Sequence, residues 1–202
     1  MNAETNLAAR IACALALVLA CVSQANANDP DCLACHAALI AKKVVHPAVQ
    51  MGCPACHADI DASAIPHKVK GKIAKGLSAE PPKLCVNCHD KKLFEGKVTH
   101  APVAGGMCLF CHNPHASDQP AMLNSEPAKL CLGCHAEVKQ KAHATVLPGG
   151  HPLGDQARPL ADPSREGKTF YCAACHEPHR SEHRKLTRVA WSMMACLQCH
   201  KM

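Results

Sequence analysis

The chain has 202 residues with 16 Cys, 15 His, 15 Pro and 11 Gly, and a formal charge of +6. Only five residues are aromatic (Phe94, Phe110, Phe170, Tyr171 and Trp191), so side chains alone make a poor core for this length. That composition excludes an ordinary hydrophobic globule and calls for staples: disulfides, metals or cofactors.

Residues 11–22 are apolar and uncharged, Arg10 precedes them, and Ala25-Asn26-Ala27 is a small-x-small cleavage site. Residues 1–27 therefore read as a signal peptide, the run being too short to span a bilayer. Val18-Leu19-Ala20-Cys21 offers the alternative of a lipoprotein signal ending before Cys21. Export follows either way, to the periplasm first and to the outer surface or the extracellular space as alternatives. A membrane enters only through a lipidated Cys21.

Beyond the leader, every cysteine falls in one pattern. Cys-x-x-Cys-His occurs at Cys32/Cys35/His36, Cys53/Cys56/His57, Cys85/Cys88/His89, Cys108/Cys111/His112, Cys131/Cys134/His135, Cys172/Cys175/His176 and Cys196/Cys199/His200. In a helical turn positions i, i+3 and i+4 share a face. Two thiols then form thioethers with one porphyrin while the adjacent imidazole reaches its iron, which is the c-type haem signature. Zinc or thioredoxin-like chemistry explains a lone Cys-x-x-Cys but not the fifth-position His seven times over. The expected cofactor is haem c, seven copies, covalently attached. Seven haems bring about fourteen propionate charges, so the basic residues read as counter-charges and not as a nucleic-acid footprint.

Eight histidines lie outside the motifs: His46, His67, His100, His115, His143, His151, His179 and His183. Seven irons need seven distal ligands, so bis-histidine ligation is expected, with His151 serving the terminal haem and His183 left over. Met107, Met193 and Met194 lie near motifs but are not needed. A six-coordinate iron has no place for substrate, which favours an electron carrier over an enzyme.

The chain is also repetitive. Residues 28–77 form a first dihaem unit, 78–123 a second, 124–187 a third with a Pro-rich, charged insertion at 152–170, and 188–202 a terminal monohaem segment. The insertion reads as a solvated loop, with partner docking as the alternative. Each full unit carries one His between its motifs and one after them. His143 aligns with His100, and His179 with His115. The fold class expected is mostly irregular with α content: short helices and loops wrapped around a chain of seven c-type haems, with little or no β-sheet. Somewhat longer helices are expected at 37–43, 136–142 and 192–201.

Cys-x-x-Cys-His-x-Pro-His-x-Ser at Cys108–Ser117 and Cys172–Ser181 resembles the doubled-CxxCH family of multihaem cytochromes. That family includes periplasmic electron carriers and donor subunits for nitrite or dimethyl sulfoxide reductases. The resemblance spans most of residues 32–200 and implies that His115 and His179 are distal ligands. The first unit departs from it, with Ala58-Asp59 after His57. The function expected is electron hopping between closely packed haems in anaerobic respiration. The partners expected are other redox proteins: a quinol dehydrogenase, a terminal reductase or other cytochromes. A reductase of nitrite or a similar oxyanion, and a homo-oligomer or subunit of an extracellular cytochrome filament, stand as alternatives.

Overall fold

The computed structural model describes residues 31–140, 143–145, 151–155 and 157–201. The leader lies outside the described residues. The chain divides into units 1–35 and 36–202. Of the first, 31–35 are described: Asp31 accepts from the Leu33 N–H at 3.1 Å and so starts the first motif's turn.

Among the described residues, six short helices follow in chain order: α1 (Leu33–His36), α2 (Lys83–Val86), α3 (Ala101–Ala104), α4 (Cys108–Cys111), α5 (Pro127–Leu132) and α6 (Met193–Cys196). Their brevity comes from the motif itself. In the motifs from Cys53 onward the His N–H bonds the carbonyl of the first Cys at 2.9–3.0 Å, closing one α-turn. The chain then leaves the helix at that His; His112, for example, is already extended at φ −115°, ψ 141°. One turn is all the attachment chemistry requires.

The three longer helices expected from sequence are shorter here. Residues 37–39 and 136–139 are 3-10 turns, α6 covers only Met193–Cys196, and residues 141–142 lie outside the described set. Tertiary context, not the apolar spacing of these segments, sets their length.

Six two-residue strands pair antiparallel: β1 (Val44–Val45) with β5 (Ala116–Ser117), β2 (Ile60–Asp61) with β3 (Lys68–Val69), and β4 (Val98–Thr99) with β6 (Arg180–Ser181). Two of these pairings are one motif used twice. Val44 faces Ser117, and the ladder ends with His46 N–H on His115 O at 2.8 Å. Val98 faces Ser181, and its ladder ends with His100 N–H on His179 O at 2.9 Å. Each time, the strand before an interposed His pairs with the His-x-Ser strand of the following repeat. The diverged first repeat lacks that sequence after His57 and builds the local β2–β3 hairpin instead.

The interior is almost without large side chains. The buried apolar residues are Ala79, Ala116, Ala128, Phe170, Ala173 and Ala174, and no large side chain is fully buried among the described residues. Phe110 and Trp191 remain 70% and 57% exposed. The described residues thus supply almost no apolar core of their own.

The insertion, most of it exposed, carries its own hydrogen bonds. Ala161 bridges Thr169, and Phe170 N–H bonds Leu160 O at 2.8 Å. Gly154, at φ +84°, allows close approach to Phe170 and Tyr171, where a Cβ would stand 2.5 Å from backbone atoms. Asp162 is buried and accepts from Ser164 Oγ at 2.7 Å and Arg165 Nε at 2.6 Å. Burial alone would raise its pKa, but Ser164 and Arg165 outweigh it and hold the carboxyl below the usual range. Its stabilising contribution is therefore present above roughly pH 4 and is lost only as pH falls through the lowered native value. Asp162→Asn is expected to destabilise the loop by about 1–3 kcal/mol at neutral pH. Limited proteolysis within 157–169 reads this out, and unchanged cleavage counts against the network.

Candidate haem-binding site

The structure brings each of the seven motif histidines against one histidine from outside the motifs. The pairs are His36 with His67, His46 with His89, His57 with His115, His100 with His135, His112 with His179, His143 with His176 and His151 with His200. Ring centroids lie 5.8–6.3 Å apart in every case. Rings in direct van der Waals stacking would sit closer. Two imidazoles bonded through Nε2 to opposite sides of one metal, with metal–nitrogen bonds of about 2.0 Å, place their centres about 6 Å apart. The gap fits an iron and its porphyrin plane.

The eighth histidine has a different place. His183 occupies the repeat position of Gln119, and both donate their backbone N–H to the preceding Ser Oγ, at 2.9 and 3.0 Å. It is paired with no imidazole among the described residues.

Pairing crosses the repeats at their two junctions, whereas His143 meets His176 within the third repeat. The interposed His46 and His100 serve the first motif of the next repeat, at His89 and His135. The trailing His115 and His179 serve the second motif of the previous one, at His57 and His112. The β1–β5 and β4–β6 ladders cause this, because they set both histidines of a junction in register. The outermost pairs are closed locally. His67 from the β2–β3 hairpin region meets His36, and His151 at the start of the insertion meets His200.

Ring chemistry agrees with a metal between each pair. In every pair one imidazole donates Nδ1–H to a backbone carbonyl, which can only accept, and this leaves the Nε2 lone pair for a metal. These bonds run from His57 to Lys75 O at 2.8 Å, His112 to Ala121 O at 2.9 Å and His176 to Lys185 O at 2.8 Å. They also run from His46 to Pro114 O and His100 to Pro178 O, both at 3.0 Å, from His67 to Ala64 O at 2.9 Å and from His151 to Pro152 O at 3.2 Å. On the facing side, burial first and the partner imidazole next push His115, His143 and His179 below the usual histidine pKa. That favours the neutral state a metal ligand needs.

Thiols of successive motifs are neighbours. Cys85 lies within hydrogen-bonding reach of Cys108, and Cys131 of Cys172. Cys56 lies near Cys85, Cys111 near Cys134, and Cys175 near Cys199. Burial first and then Cys108 push the free Cys85 thiol up to about 11. Arg165, beside Tyr171, has a buried Nη2 with no partner among the described residues, a donor suited to a haem propionate.

The spacing treats all fourteen motif thiols alike, and in the structure they differ in exposure. Ten are half-buried, whereas Cys35, Cys88, Cys134 and Cys196 are exposed. The reason is the shortness of the turns. Cys35 and Cys88 come three residues after the first Cys, their N–H groups on Cys32 O at 3.4 Å and Cys85 O at 3.2 Å. The flanking Ala34 and His36, and Asn87 and His89, are exposed as well. A thioether requires reach to a vinyl group and not burial, so exposure leaves the attachment chemistry of Cys35 and Cys88 open to them.

Sequence reasoning did not find the carbonyls that accept these protons. Three of them, Lys75, Ala121 and Lys185, have φ of 59°, 53° and 56°, and each begins a pair of left-handed residues. Gly76 takes the second place in the first repeat, but Met122 and Leu186 hold it in the others, at about 1–2 kcal/mol of strain per residue. The repeated Ser of His-x-Pro-His-x-Ser was the available signal.

Motifs of this type carry covalently attached haem c, and the protein is a multihaem c-type cytochrome that takes part in electron transfer. The doubled CXXCH motif family model matches residues 46–94, 100–140 and 162–202, more than half of the chain, and the chain belongs to that family. The matches take six of the seven motifs in a frame that opens near the interposed His46 and at His100, leaving out Cys32–His36. No curated protein matched the chain. Among the described residues, no helix is long and apolar enough to cross a membrane.

Proposed function

We propose that the chain binds seven haem c groups, each between two histidines, and acts as an electron carrier and not as a reductase. All fourteen motif thiols, the exposed Cys35 and Cys88 included, form the thioethers. The observation that carries this reading is the complete pairing of seven motif histidines with seven others at 5.8–6.3 Å. Haem c supplies a one-electron ferric/ferrous couple, which two histidine ligands place at lower potential than a His–Met pair. An iron held by two of these histidines would have no position open to substrate. The adjacency of thiols from motif to motif supports a serial electron path from Cys53–His57 through to Cys196–His200.

The leader-like start supports export, to the periplasm first, and partners there are redox proteins of an anaerobic respiratory chain. Two measurements on protein from a host with cytochrome maturation test the reading together. Intact mass should exceed the polypeptide by seven haem groups, and the ferric EPR spectrum should be wholly low-spin. A high-spin centre in the intact protein would favour the reductase, and fewer than seven haems would refute the count.

A further inference from the structure

The carbonyls that hold the second-motif histidines sit on strained turns, and something must keep those turns in place. In the second and third repeats a single buried hydroxyl does so. Ser117 Oγ accepts from Gln119 N–H at 3.0 Å and donates to Leu123 O, thereby tying the start of the Pro120–Met122 turn to its end. Ser181 Oγ accepts from His183 N–H at 2.9 Å and donates to Thr187 O at 2.6 Å across Arg184–Leu186. Both serines are at most 5% exposed. The turn is then laid against its motif: Asn113 N–H bonds Met122 O at 2.8 Å, and Glu177 N–H bonds Leu186 O at 2.7 Å. The first repeat reaches the same left-handed turn with Gly76, where a Cβ would meet Asp59 and Ile60 backbone at 2.8 Å.

We propose that Ser117 and Ser181 are positioning residues for His112 and His176, acting through the left-handed turns that aim Ala121 O and Lys185 O at the two imidazoles. This rests on the bis-histidine reading of the same sites. The hydroxyl holds the turn, the turn holds the carbonyl, and the carbonyl takes the Nδ1 proton. An imidazole that shares its Nδ1 proton is a more basic ligand and favours ferric iron. Each serine therefore sets the potential of one haem: Ser117 that at Cys108–His112, Ser181 that at Cys172–His176.

The test uses the holoprotein and two readouts. EPR-monitored potentiometry follows each haem, and NMR of histidine-labelled protein follows the Nδ1 protons. Ser117→Ala is expected to shift one haem's reduction equilibrium upward by roughly threefold to tenfold and to speed solvent exchange of the His112 Nδ1 proton. The other six haems should hold still. Ser117→Thr should behave as the parent, and Ser181→Ala should move the His176 haem alone. If Ser117→Ala does not mature, Ser117→Ala with Met122→Gly, which relieves the left-handed strain independently, should restore both yield and potential. Failure of that double variant to mature overturns the proposal. So does a stability loss with every potential unchanged, or an equal shift of all haems. A parent protein that is not low-spin would instead defeat the ligation reading itself.

Discussion

Replacing His115 by alanine should alter the haem at Cys53–His57, two motifs upstream, and leave the haem beside it at Cys108–His112 unchanged. The facing ring of His57 is His115, whereas His112 faces His179. One ferric centre should become high-spin, with a potential rise on the order of 0.1 V within the roughly 0.8 V that axial ligation spans. Position-selective EPR of a His115→Ala and His179→Ala pair separates the possibilities. Ligation within each repeat predicts that His115→Ala perturbs a haem of the second repeat. That outcome would contradict the crossed pairing and the β1–β5 register on which it depends.

Without haem, the chain should not fold at all. Backbone ordering costs about 1–2 kcal/mol per residue, and the buried apolar residues here are five alanines and Phe170. Such an interior cannot offset the ordering cost, and the short helices, one or two turns each, have no intrinsic stability. The polypeptide made in a host without cytochrome maturation is expected to show a coil-like far-UV circular dichroism spectrum and rapid proteolysis throughout 31–201. A cooperative thermal transition in that colourless protein would show that side chains suffice.

Much of the site could be read from residue spacing because the chemistry is local. A Cys-x-x-Cys-His is one helical turn wherever it occurs, and each of the six motifs from Cys53 onward closes the same bond from His N–H to the first Cys carbonyl. Spacing did not reveal which thiols the polypeptide covers, because the exposure of Cys35 and Cys88 depends on what packs over the end of each turn. Supply and demand for imidazoles was equally local to count. His151, with a second His four residues after His179 to choose from, is the one that meets His200. His183 could be mistaken for a ligand because a side chain's name does not reveal that its backbone N–H is what the fold uses. Crossed pairing was not legible, since two residues of strand, Val44–Val45 or Val98–Thr99, carry no recognisable period. Nor were the left-handed carbonyls. Ala121, Met122, Lys185 and Leu186 are residues that ordinarily avoid positive φ, and only the hydroxyl clamp explains their presence there.

The crossed junctions mean that no repeat is a self-sufficient module. Excising the second would leave two imidazoles on each side without partners, His46 and His57 before it and His135 and His179 after it, and splicing an extra one in would work only where its His-x-Ser strand met a ready neighbour. The outermost pairs behave as lids on this lattice: the hairpin bearing His67 faces His36 where a preceding repeat's interposed histidine would otherwise sit, and His143 faces His176 where a following repeat's trailing histidine would, which leaves His151 to meet His200. Array length is thus governed by two short appendages. Losing either would expose one bare axial face, converting the end of a conductor into a place where a small molecule binds.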